Sequence, residues 1–143
     1  MGWLGSASRN VRHAPGARYA DHMFIGIDHL VIAVADPDYA ATQLELEVGV
    51  KATGGDRHET LGTFNRLVWL GDTYLELIGV FERTLAERSW LGRPTLQTLE
   101  RSGGLATWAI ATDSLWADVA RLRVLGSDLS EPIAGERRRE DGV

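Results

Sequence analysis

The sequence predicts an α+β fold in which a strand–helix–strand–strand–strand unit occurs twice, the second copy incomplete. Three observations carry this. A β-branched apolar run, Ile27 to Ala35, passes directly into a capped helical pattern. "NRLVWLG" and "TYLELIGVF" are extended runs on either side of a tight Gly71-Asp72 turn. The strand, Asp and helix pattern then returns, with Asp36 and Asp113 lying 77 residues apart, as do Gly49 and Gly126.

Taken in order, structure is expected to begin at "GIDHLVIAVADPDYA". Ile27 to Ala35 reads as a buried strand because it is apolar and β-branched. "DPD" stops it: Asp36 suits an N-cap and Pro37 the first helical position. Ala40, Ala41, Leu44 and Val48 then share a helical face, and Gly49 closes the helix. "VKAT" is expected as a short strand ended by Gly54-Gly55, and the Gly71-Asp72 pair makes the next two strands a hairpin. Residues 81–103 form a connector with one short helix around Pro94, Leu96 and Leu99. "LATWAIATDSLWADVARLRVLGS" repeats the opening: a strand, an Asp cap, a helix and a Gly stop. The boundaries are therefore 26–80 for the first module, 81–103 for the connector and 104–143 for a partial second module. Together they make a domain over 25–143.

Composition narrows the function classes. A chain of 143 residues with 44% hydrophobic and 24% charged residues is of ordinary globular make-up, long enough to bury a core. The net charge of −5 argues against general nucleic-acid affinity. The one basic cluster, "GERRRE", is flanked by acids and reads as a solvated turn. There is no cysteine, which removes disulfides, thiolate catalysis and Cys-ligated zinc. The longest apolar run is far too short to span a bilayer. Residues 1–24 carry Arg9, Arg12 and Arg18 with Ser, Gly and Pro, and no acid precedes Asp21. They lack a signal-peptide core and read as a disordered or non-native lead, so the expected location is the cytoplasm.

Alternation along the strands separates two faces. Leu30, Ile32 and Val34 form the helix side of the first strand, leaving His29, Val31 and Ala33 on the other. Leu75 and Leu77 turn Tyr74, Glu76 and Ile78 the same way as His29. An imidazole and a carboxylate on rigid strands are half of a divalent-metal site. A lone His–Glu combination is more often a structural contact sealing the sheet, and spacing alone is a weak signal for a metal. The stretch "RHETLGTFNRL" (57–67) is denser in polar groups than a core requires, and it is either a site rim or a structural turn.

"IDHLVIAVADPDYA", "GGDRHETLGTFNRLVWLGDTYLELI" and "GGLATWAIATDS", in that order, resemble the glyoxalase-like domain of the vicinal oxygen chelate superfamily. "GERRREDG" is similar to the Arg-rich, Asp-Gly turn before a late strand in such domains. The likeness runs from about Gly26 to the C-terminus. It implies paired βαβββ modules forming a curled, cup-like mixed sheet with helices outside. It also implies a divalent metal (Zn, Ni, Mn or Fe) in the cup, chelated by substrate oxygens. His29 and Glu76 match metal-ligand positions, and His58 matches a polar-loop position suited to a third ligand or an acid/base group. Thr63 and Asn65 belong to the same loop, while Trp69, Tyr74 and Trp108 are candidates to line the cup. Two departures stand out: Ala106, with Thr107 beside it, occupies the second-module place of His29, and a late-strand ligand is not found.

Three functions follow as expectations. The first is a metal-assisted lyase, isomerase or dioxygenase acting on a small oxygen-rich molecule. The second is a non-catalytic, antibiotic-type binding protein, which the missing second-module histidine favours. The third is an inactive truncated fragment. An unfinished sheet leaves an open edge, through which a homodimer is expected.

Overall fold

A computed structural model describes residues 24–134. The order of elements is β1 (Gly26–Ala33), α1 (Pro37–Val48), β2 (Arg57–His58), β3 (Thr63–Leu70), β4 (Thr73–Val80), α2 (Arg83–Arg88), α3 (Gly92–Leu99), β5 (Gly104–Ala111) and α4 (Leu115–Val124). The lead at 1–23 and the "GERRREDG" stretch lie outside the described residues.

Helix α1 starts and stops where local chemistry demands. The Asp36 carboxylate accepts from the backbone N–H groups of Asp38 (2.9 Å) and Tyr39 (3.1 Å), satisfying two of the donors a helix start leaves free. Gly49 ends the helix in the left-handed region, at φ 72°. The hairpin forms as expected, with Leu70 opposite Thr73 across the turn.

The expected strand at "VKAT" is not formed. Gly54 (φ 82°) and Gly55 (φ 129°) break the extended path, and the regular strand there is β2, only two residues long. The segment still bonds β3 irregularly: Thr53 N–H donates to the Leu67 carbonyl and Asn65 N–H to that of Asp56. The connector holds two helices rather than one. The Glu82 side chain caps α2, while Ser89 ends it and accepts the Gly92 N–H that opens α3. A Cβ on Gly92 would lie 2.4 Å from the Ala86 Cα, so only glycine permits this close approach of the two helices.

The five strands form one open mixed sheet in the order β2-β3-β4-β1-β5. β1 pairs parallel with β4, which pairs antiparallel with β3. Residues 27–109 cluster as one body. Its two sheet faces divide as the alternation predicts. Helix α1 packs on β3 and β4, and the Asp38–Arg66 ion pair (2.6 Å) puts Arg66, with its partner Leu77, on that side. On the other side Val31, Ala33 and Ile78 pack with Leu91 from the connector, bordered by Leu61, Leu99 and Ala106. This second face carries His29 and Glu76.

The described residues outside 27–109 form a second body with α4. Helix α4 begins after Ser114, not Asp113, so the repeat is one residue out of step at its cap. Inside this body Asp118 is buried and accepts from the Thr112 hydroxyl. Among the described residues no strand follows Gly126.

Candidate functional site

The second face of the sheet changes character along its length. Towards Ala33 and Ile78 it is apolar and covered by the connector. One step back along the strands, the same alternation presents His29 on β1, Glu76 and Tyr74 on β4, and Asn65 and Trp69 on β3. The register sets this row: Val31 and Leu67 flank Glu76, His29 and Trp69 flank Tyr74, and Asn65 lies opposite Ile78. β2 adds His58 at the edge, opposite Thr63.

These groups form one connected network. Glu76, only 6% exposed, accepts from the Asn65 amide nitrogen on Oε1 at 2.5 Å. Its Oε2 lies 3.6 Å from His29 Nε2. The other ring nitrogen of His29, Nδ1, is 2.7 Å from the Asp28 carboxylate. At the opposite end, Asn65 Nδ2 is 3.4 Å from His58 Nε2, and His58 Nδ1 is 2.9 Å from the Thr63 hydroxyl. Asn65 Oδ1 accepts the Asp56 backbone N–H at 2.8 Å. A buried carboxylate is costly unless satisfied, and here Oε1 is hydrogen-bonded by Asn65 while Oε2 has His29 Nε2 as a neighbour at 3.6 Å, beyond hydrogen-bond length.

An aromatic wall adjoins the polar row. The His29 ring stacks on Tyr74 with centroids 4.5 Å apart, and Trp69 tilts against Tyr74 at 4.7 Å. Seven of the eight residues singled out from sequence, His29, His58, Thr63, Asn65, Trp69, Tyr74 and Glu76, thus meet in one cluster. Trp108 does not join it. That side chain sits on β5, half exposed, and among the described residues no hydrogen bond or ring contact ties it to the others.

Asp28 is the participant that sequence reasoning passed over. Neighbours on a strand point to opposite faces, so alternation argues against an Asp28–His29 contact. At the start of β1 the carboxylate nevertheless reaches Nδ1. The Asp-His dipeptide was the available signal, because an imidazole whose Nδ1–H is given to a carboxylate presents Nε2 as a ligand or base.

A divalent ion can be tested against these donors. Two protein atoms about 2.1 Å from a tetrahedral ion stand about 3.4 Å apart, close to the observed His29–Glu76 spacing. With Nδ1–H given to Asp28, Nε2 of the neutral ring carries a lone pair that is available to an ion. A third donor is not at hand: Asn65 turns its amide nitrogen, not its oxygen, towards Glu76 and His58. Among the described residues no group of three His, Cys, Asp or Glu is placed to hold a metal. The residues therefore fit a two-donor half-site, with the remaining positions left to water or ligand.

Comparison with known proteins bears on the fold and the family. A search of curated proteins returned no match. Among solved structures, methylmalonyl-CoA epimerase from Mycobacterium tuberculosis superposes with a TM-score of 0.63 at 22% identity, covering 85% of this chain and 77% of that one. A Streptomyces coelicolor methylmalonyl-CoA epimerase in complex with 2-nitronate-propionyl-CoA gives 0.62 at 23% identity, covering 83% of each chain. Another methylmalonyl-CoA epimerase, in complex with methylmalonyl-CoA and NH4+, gives 0.59 at 23% identity over 72% of this chain and 71% of that one. At these identities the likeness is one of fold. The model of the glyoxalase-like domain matches residues 27–143, nearly the whole chain beyond its lead. The chain therefore belongs to the glyoxalase-like domain family.

Proposed function

We propose that this chain binds a small carbonyl or carboxylate compound, a CoA ester being the first class to try, and moves a proton on the carbon beside its carbonyl. The observation that carries the reading is the buried Glu76 carboxylate, held between His29 and Asn65 on the covered face of the sheet. Burying a charge there costs stability that a leucine would not, so a site is the better reason for it. The epimerase neighbours support the choice of chemistry by fold analogy only.

In this reading His29 and Glu76 are the residues that would hold a divalent ion. Such an ion, when bound, polarises the substrate oxygen as a Lewis acid. His58 is the acid/base group: its Nε2 gives up the long 3.4 Å contact with the Asn65 amide, takes the proton from the carbon next to the carbonyl and returns it, so nothing is consumed. Trp69 and Tyr74 supply the apolar wall against which the body of the ligand rests. Thr63 and Asn65 hold the polar loop, and Trp108, half exposed on β5 and outside the cluster, is given no part in it. A homodimer through the uncharged edge strand β5 belongs to the same reading, and a mass measurement in solution tests it.

The two-donor metal set and Ala106 at the second-module position favour a non-catalytic binding protein as the second reading. One experiment separates the two. Metal content is measured by mass spectrometry on tag-free protein, alongside His29→Ala and Glu76→Ala. Carbonyl compounds and CoA thioesters are then incubated in D2O and followed for deuterium at the carbon beside the carbonyl. Near-stoichiometric metal lost in both variants, with deuterium exchange that His58→Gln abolishes, supports the enzyme. Ligand binding without exchange supports the binding protein. Neither metal, binding nor exchange sinks both.

A further inference from the structure

We propose that Asn65 is the positioning residue of this cluster, fixing the Glu76 carboxylate and dictating which ring nitrogen of His58 carries the proton. Asn65 is 4% exposed, and its orientation follows from one contact. A backbone N–H can only donate, so the Asn65 atom 2.8 Å from the Asp56 nitrogen must be the amide oxygen. That leaves the NH2 group facing inward with two hydrogens. One goes to Glu76 Oε1 at 2.5 Å, where a carboxylate can only accept. The other points towards His58 Nε2 at 3.4 Å.

The consequence falls on His58. An Nε2–H there would set donor against donor, so Nε2 must carry the lone pair. The ring proton is then on Nδ1, donated to the Thr63 hydroxyl at 2.9 Å. In water the neutral ring favours the opposite tautomer, and in a protein the tautomer is set by the hydrogen bonds the two nitrogens make. Here a chain of fixed roles, from the Asp56 amide through Asn65, makes the choice. Glu76 and the basic nitrogen of His58 are thereby oriented by one side chain, which leaves neither amide hydrogen for a ligand. The catalytic meaning of this arrangement rests on the function proposed above. The tautomer itself does not.

Long-range 1H–15N NMR of imidazole-labelled full-length protein, at alkaline pH where the ring is neutral, reads the tautomer directly. The chain has four histidines, and loss of one signal in His58→Gln assigns the resonance. Wild type should show a pyrrole-type Nδ1 and a pyridine-type Nε2. Asn65→Leu should invert the tautomer ratio by at least ten-fold. Thr63→Val, with Asn65 intact, should keep the proton on Nδ1. A wild-type Nε2–H signal overturns the proposal even if no variant folds, and so does a folded Asn65→Leu that keeps Nδ1–H. An Nδ1–H wild type that exchanges no substrate proton upholds Asn65 as the positioning residue and defeats only the proton-transfer reading.

Discussion

Glu76→Gln removes a charge from the buried network while keeping its shape, which makes it the most informative single change. In the orientation the network dictates, the new amide oxygen accepts from Asn65 where Oε1 did. The new NH2 donates to His29 Nε2, whose lone pair is available because Nδ1 serves Asp28. No buried polar group is orphaned. Exchanging a hydrogen bond to a charged group for a neutral one loses about 1 kcal/mol. Relief of the carboxylate's desolvation, whose cost is several kcal/mol per buried ion before pairing, acts the other way. The expected net change is between about −1 and +2 kcal/mol in stability, or roughly −4 to +8 °C in Tm for a domain of this size. Urea unfolding followed by tryptophan fluorescence measures it, with an unchanged m-value as the condition for comparing midpoints. Divalent-metal retention should fall at least ten-fold in the same protein. A loss above about 2 kcal/mol would show that Glu76 is a structural ion-pair partner of His29, and the argument for a site would go with it.

Other positions test the frame. Gly62→Ala should cost more than about 2 kcal/mol, because φ is +70° and a Cβ would lie 2.3 Å from the Glu82 carbonyl oxygen; a neutral result in urea would mean that α2 does not dock there. Ile78→Ala, at a fully buried core position, should lose about 2–5 kcal/mol, against about 1 for Ile78→Val. Equal effects of the two in the same titration would contradict the packing described. Asp36→Ala should remove about 1 kcal/mol by leaving the first turn of α1 uncapped, and Asp36→Ser should recover most of it. Arg83→Gln should leave Tm unchanged. Its guanidinium is exposed and held further towards the charged form by hydrogen bonds to Glu100 and then Glu87, so it titrates in no accessible range.

By itself the sequence determined what local chemistry controls. The Asp36-Pro37 start and Gly49 stop of α1, the turn at Gly71 and the two faces of β1 and β4 each depend on one residue's backbone preference or on strict alternation. Those signals survive any tertiary context, so His29 and Glu76 could be placed on one face before any coordinates. The polar loop was recognisable for the same reason: Thr63 and Asn65 alternate along the strand that follows it.

What only the tertiary structure decided depends on contacts between segments distant in the chain. The "VKAT" strand failed because two left-handed glycines redirect the chain, although the segment still exchanges backbone hydrogen bonds with β3. The second connector helix rests on a close approach of Ala86 and Gly92 that no pattern announces. Asp28 turns to its neighbour against the strand rule, and the Asp56 amide orients Asn65. The direction of the hydrogen bonds that run from Asn65 to Glu76 and through His58 to Thr63 follows from that one backbone donor, nine residues away in sequence. A sequence names which polar groups are present. Only the fold shows which of them must donate and which must accept.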